Sequence, residues 1–464
     1  MVDDRGVLYG RRPGLRDGSP RVHGLETSPW FRYLPAFGMI AANLNLHRLM
    51  GVSTQSAGLL EGDVHRALVM GGAYALVAVL LLRRLAFALE RVRGEWLYML
   101  LLVYMLSSMF WSEHPLKVLT GFAHSLGVWM IGLATAYWTA GSVRRLAEML
   151  VWPLALLLLI SVVLAVAWPT IGIDMKSGYQ RWMGITYHPN SLGLVSLIVT
   201  WSALTCLHFE PKLRTRLLLW ASIAIAGLCL VKSNSMTSTL VSASMLAVYL
   251  WTALVKRTNS TPVSALIFLC FGLAGLGALV FVKPELLTYE GFLHAIGRSA
   301  TLTGRVELWD LALQMHAERP LLGWSFDALA SVPARFGLGY GQLHSGFFDL
   351  LVRGGDVGLF LVVLVVIQAV LRLLAVYRRS PVEGSWGLGL LLASVLHNVT
   401  EASLARAPHP MWLAFSMLLL TAASTTGAPS SVAVTGTAGA STRVRPRYAN
   451  IVGADAPTAD RQAV

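Results

Sequence analysis

Charged side chains are scarce in this chain: Asp, Glu, Lys and Arg make up 13% of its 464 residues. A soluble protein of that length has far more surface than so few charges can cover, which excludes an ordinary soluble enzyme. Cysteine is nearly absent too. Cys206, Cys229 and Cys270 all fall within apolar runs, as small packing residues do, and they supply neither a disulfide framework nor a thiolate metal spacing. A phosphate-loop glycine pattern, a zinc-finger spacing and an aromatic-interleaved basic patch are also missing. The net charge of +13 therefore does not imply a nucleic acid or a nucleotide. The first thirty residues hold no short apolar core with a cleavage site, so no removable signal peptide is expected.

What the chain has is apolar length. Hydrophobic residues reach 55% and the mean hydropathy is +0.61. Runs long enough to cross a bilayer recur about twelve times. The expected fold is an all-α, polytopic integral membrane protein with about twelve transmembrane helices and a long, partly helical extracytoplasmic loop. Spans are expected at 33–48, 67–82, 95–110, 119–140, 149–168, 189–209, 217–231, 237–255, 263–282, 357–376, 385–400 and 410–427. The first is short and holds Asn43 and Asn45. The arginine-rich segment from Arg83 to Arg93 is expected along the inner surface, arginines among headgroups and apolar residues in lipid.

Alternating these spans from a cytoplasmic N-terminus puts most short-loop cations inside, from Arg83–Arg84 to Arg378–Arg379. The short outer turns receive Lys117, Lys176, Arg181, Lys232 and Arg406. That agrees with the inside bias of basic residues and makes both termini cytoplasmic. Residues 1–32 form a cytoplasmic arm, 33–427 the membrane domain with its outer loop at 283–356, and 428–464 a disordered cytoplasmic tail rich in Ala, Thr, Gly, Ser and Pro.

Candidate chemistry gathers at the outer edge. Val306, Trp309, Ala312 and Leu313 fall at helical spacing, with Thr303 as a start and Arg319–Pro320 as a stop. Arg305 stands in the first turn, where a cation gains nothing from the helix dipole. It either binds an anion or pairs with Glu307 or a lipid phosphate. His344 follows the glycine-rich stretch 337–341 and is either a general base for a sugar hydroxyl or a capping residue. Arg181 presents a rigid fork suited to phosphate oxygens. His188-Pro189-Asn190 reads as binding residues or as a helix start capped by Asn190. Lys232, beside Ser233-Asn234-Ser235, lines an anion pocket or satisfies a tight turn. His397, Asn398 and Glu401, followed by Arg406 and His409, suggest an inward-facing polar network in which Glu401 meets Arg305, Arg406 or an acceptor sugar.

The order of these pieces resembles the O-antigen ligase and polymerase superfamily, most closely its exopolysaccharide polymerases. The resemblance rests on Trp111-Ser112 with Pro115, Gly184 through His188-Pro189-Asn190, Leu302-Thr303-Gly304-Arg305 with Trp309, Pro320 with Gly323, His344-Ser345-Gly346, and Asn398 with Glu401. It covers roughly residues 33–427. It implies glycosyl transfer at the outer face of a bacterial inner membrane, from a polyprenyl diphosphate carrier, usually undecaprenyl, to a sugar hydroxyl. Arg305 would bind the diphosphate and His344 would activate the acceptor, with Arg181, Lys232, His188, Asn190, Glu401 and Arg406 around the substrate. No metal and no cofactor are implied. The implied partners are the lipid-linked glycan donor, a glycan acceptor, membrane lipids, a flippase and a chain-length regulator. Relatives often carry arginine in the serine-rich junction where this chain has Met236, and Asn where it has Ser345; Lys232 or Arg181 would then supply the missing charge. A ligase acting on lipid A-core or protein and a polysaccharide transporter are the alternatives.

Overall fold

The computed structural model describes residues 31–45, 64–175, 180–282, 305–327, 336 and 343–423. After a 3-10 turn at Phe31–Tyr33 come α1 (Leu34–Asn43), α2 (Val64–Arg83), α3 (Leu85–Gly94), α4 (Trp96–Ser107), α5 (Pro115–Thr139) and α6 (Val143–Ala167). A two-stranded antiparallel ribbon follows, β1 (Ile173–Asp174) on β2 (Arg181–Trp182). Then come α7 (Pro189–Phe209), α8 (Leu213–Ser233), α9 (Met236–Thr258) and α10 (Thr261–Val282). The last helices are α11 (Arg305–Glu318), α12 (Gly346–Arg379), α13 (Pro381–Thr400) and α14 (Pro410–Ala423). Every expected span lies at least partly on a helix. The arm through residue 30, Lys176, Tyr179, Thr303–Gly304, the glycine stretch 337–341 and the tail from 428 fall outside the described residues.

Local chemistry sets the helix ends. Proline opens α5, α7, α13 and α14, where its missing N–H has no intrahelical partner to lose. Ser142 and Ser380 cap α6 and α13 by accepting from the backbone N–H of Arg145 and Glu383. Asn234 and Asn259 close α8 and α9 in the left-handed region.

Among the described residues six helices are long and apolar enough to cross a membrane: α5 to α9 and α12. The α2–α3 pair, bent by 101° at a short break, makes a seventh if taken as one broken span. That bend turns the Arg83–Arg93 segment away from α2, as a helix lying along a surface would turn. The protein is thus an all-α, multi-pass membrane protein, while α1, α4 and α14 are shorter apolar helices.

Burial is concentrated in two helices. Every residue of α14 is buried, and α7 is buried nearly all round, touching α6, α8 and α9. Three hydroxyls inside α7 are satisfied by its own preceding turn: Ser196, Thr200 and Thr205 donate to the carbonyls of Leu192, Ser196 and Trp201 at 2.8, 2.9 and 2.8 Å. Close approach of α5 and α14 depends on Gly132, whose added Cβ would stand 2.6 Å from Leu420 and 3.1 Å from the Ser416 carbonyl. Large apolar residues on α2, α8 and α12 face outward instead, including Leu68, Leu217 and Phe360. Cys206 and Cys229 are buried, but Cys270 is exposed on α10 and does not pack inside.

At one end of the bundle Glu95 takes two 2.8 Å bonds from Arg372, and Glu383 accepts from Ser142 Oγ and the Val143 N–H. The other end carries the candidate chemistry. There α11 packs on α12 through Ala312 and Met315, and Trp309 stacks on Phe348 with ring centres 5.5 Å apart. Two members of the expected apolar face behave otherwise, since Val306 and Leu313 are exposed. The docking face is rotated toward Met315 because Trp324 fastens there, its indole N–H donating to the Met315 carbonyl at 2.8 Å.

Candidate active site

Glu401 is the hub. It is extended and buried at the C-terminal end of α13. One oxygen, Oε1, accepts from Asn190 Nδ2 at 2.7 Å and from an Arg305 terminal nitrogen at 3.1 Å. The other, Oε2, lies 3.9 Å from His344 Nδ1, an ion-pair distance too long for a good hydrogen bond. Arg305 also donates to the Thr400 carbonyl, so its guanidinium is pinned to the chain on both sides of the Thr400–Glu401 peptide. Burial pushes the Glu401 carboxyl up, but contact with His344 and the charges of His397 and Arg305 outweigh it and hold the group below its ordinary value.

Arg181 extends this chain of contacts. It donates to Asn190 Oδ1 at 2.7 Å and to the Ser233 and Asn234 carbonyls at 2.8 and 3.3 Å. A guanidinium therefore reaches the serine-rich junction although Met236 occupies the chain position there. His188, not Asn190, caps α7: its Nδ1 accepts from the Asn190 N–H at 3.1 Å. That corrects the helix-start expectation and leaves the Asn190 side chain bridging Arg181 and Glu401. Lys232 stands exposed at the rim, its ammonium 5.7 Å from the centre of the Trp182 ring.

The turn bearing His344 is held rigidly. His344 has a left-handed φ of 50°, and the Gly346 N–H donates to the Glu401 carbonyl at 3.1 Å. Ser345 Oγ donates to the Asn398 carbonyl at 3.3 Å. A Cβ at Gly346 would fall 2.0 Å from Asn398 Oδ1, so only glycine lets the two turns touch. Asn398 shapes the opposite turn, accepting from the N–H of Ser403 and Leu404 at 2.8 and 2.9 Å.

Arg406 does not reach Glu401. Its guanidinium lies 3.7 Å from Asp349 Oδ1. Asp349 and Arg353 are the residues that sequence reading missed. Asp349, 1% exposed, also meets Arg353 at 3.3 Å and receives the Leu343 N–H at 3.5 Å, while Arg353 donates to the Ala405 carbonyl at 3.2 Å. This buried pair ties the turn before His344 to the turn after Glu401. An acid and a base four residues apart in an otherwise apolar stretch were the available signal, because charges at such depth need partners.

The O-antigen ligase family model matches residues 220–363. The exopolysaccharide production protein ExoQ of Rhizobium meliloti (strain 1021) is 24% identical over 315 residues, spanning 61% of this chain and 67% of that protein. These matches support an O-antigen ligase/polymerase-like family. The stretch matched by the family model contains Lys232, Arg305 and His344, and also Asp349 and Arg353. Arg181, His188, Asn190, Glu401 and Arg406 lie outside it and reach the same end of the bundle through the fold.

Proposed function

We propose that this ligase/polymerase-like chain is a polymerase, transferring a glycan from a polyprenyl diphosphate carrier to a sugar hydroxyl on another carrier-linked repeat unit. The observation that carries this reading is the meeting of Arg305, His344, Glu401, Asn190 and Arg181, from distant parts of the chain, around one buried carboxylate. With Nδ1 turned to Glu401, His344 Nε2 is the nitrogen that would take the acceptor proton. The acceptor oxygen then bonds to the anomeric carbon as the bond from that carbon to the diphosphate oxygen breaks. Arg305 and Arg181 would stabilise the charge developing on the departing diphosphate, a leaving group that needs cationic donors more than covalent help. In this reading no metal takes part, and direct displacement would invert the anomeric carbon.

The relative's role in exopolysaccharide production favours chain growth over transfer to lipid A-core or protein. The site would face the extracytoplasmic side of a bacterial inner membrane, with both termini cytoplasmic. A flippase would supply the donor and a chain-length regulator would act beside the protein. The test is reconstitution with purified lipid-linked repeat units. Longer glycans on the carrier are expected, and His344→Ala and Arg305→Ala should each cut turnover at least about a hundredfold while membrane insertion persists. Glycan appearing only on lipid A-core or protein would make the chain a ligase. Movement of the glycan across the membrane without a new bond would make it a transporter.

A further inference from the structure

At the end of the bundle away from Glu401 lies a cavity of about 400 Å³, a volume typical of small-ligand sites. It is framed by the ends of α5 and α7, the starts of α6 and α8, and the 3-10 turn at Phe31–Tyr33. The same helices reach both regions. On α7, Asn190 belongs to the candidate active site and Cys206 lines the cavity, about 24 Å apart at 1.5 Å per residue.

Its wall carries both signs of charge beside aromatic rings: Arg32 and Arg145, Glu148 and Glu210, Trp138 and Trp152. Among the described residues the Arg145 guanidinium has no hydrogen-bond or ion-pair partner, unlike Arg144, which binds Glu148 Oε1 at 2.7 Å. Glu210 Oε1 accepts the Lys212 N–H at 2.8 Å. Neither bond uses Oε2, so each carboxylate keeps an acceptor oxygen. The wall also includes buried Met149 and Leu219 and a partly exposed Trp152, giving an apolar side next to the polar one.

We infer that this cavity binds the headgroup of a zwitterionic phospholipid, with its phosphodiester on Arg32 and Arg145 and its ammonium on Glu148 and Glu210. Charge decides the class. A headgroup with only negative charge would set itself against two carboxylates, whereas one with both charges matches each side of the wall. Position decides the source. The cavity sits where membrane-length helices end, and its wall carries Trp138 and Trp152, the residue type that favours the headgroup layer.

Delipidated full-length protein in detergent should be offered phosphatidylethanolamine, phosphatidylglycerol or soluble phosphoethanolamine, and bound ligand counted by native mass spectrometry. Phosphatidylethanolamine should be retained about tenfold better than phosphatidylglycerol, the worth of one charge-assisted contact. Arg145→Ala and Glu210→Gln should each lower that retention about tenfold. The site is overturned if phosphatidylglycerol is held equally well, if phosphoethanolamine binds as tightly as the lipid, or if both variants retain lipid like the parent. Glycan growth is read separately: its loss with lipid retention intact would strike the polymerase reading alone.

Discussion

Glu401 serves three partners with two oxygens, so its charge and its hydrogen-bonding capacity separate on substitution. In Glu401→Gln an amide oxygen can still accept from Arg305 while the charge facing His344 is gone. Turnover should fall about tenfold or more, ~1.4 kcal/mol of barrier. The pH dependence has a definite sign. A carboxyl held below its ordinary value in the folded protein stabilises fully above the unfolded value, and that contribution is lost as pH falls through the lowered one. Melting curves of the parent and Glu401→Gln should therefore converge under acid and separate toward neutrality. Asp349→Ala removes a different carboxylate and strands Arg353, 6% exposed, without its partner. Loss of one member of such a buried pair costs about 3 kcal/mol, visible as a lower denaturation midpoint. Asp349→Asn should keep more of the fold yet still lower turnover by loosening the turn at His344.

Among the elements, α12 changes direction at Gly355, which has φ 59° and ψ −163° inside an otherwise continuous helix. An added Cβ there would meet the Leu321 carbonyl at 2.4 Å, and the Asp356 N–H donates to the Pro320 carbonyl at 2.8 Å. Gly355→Ala should destabilise the protein by several kcal/mol, since left-handed strain and a backbone clash act together; thermal melting in detergent would measure it. The break lies in Gly354-Gly355-Asp356, just before the expected span at 357–376. The face of α11 was not legible in the sequence. Spacing placed Val306 and Leu313 with Trp309, but the docked face is set by Trp324, beyond the end of the helix, which fastens to the Met315 carbonyl and lies outside the helical period. Likewise Arg305, His344 and Glu401 could be singled out by chemistry, while the partner of each was left open. Arg406 stands by Asp349, 57 residues away in sequence, a contact that no local periodicity encodes.

For the molecule as a whole, apolar length was enough to read a multi-pass helical protein, since the bilayer imposes it. Sidedness is testable directly. Single cysteines introduced at Lys232 and at Arg379 should react with a membrane-impermeant reagent from opposite sides of sealed vesicles, and labelling of both from one side would overturn the proposed topology. Depth of burial was harder to read, because the hydropathy that marks a lipid-facing helix also marks one enclosed by protein. The interior of α7 bears on biogenesis. Its hydroxyls at Ser196, Thr200 and Thr205 are satisfied by their own helix, so at those positions it asks nothing of its neighbours. Those three hydroxyls can leave water before any neighbour is in place, whereas Trp201, whose indole N–H donates to the Trp386 carbonyl at 2.9 Å, finds its partner only once α13 has packed.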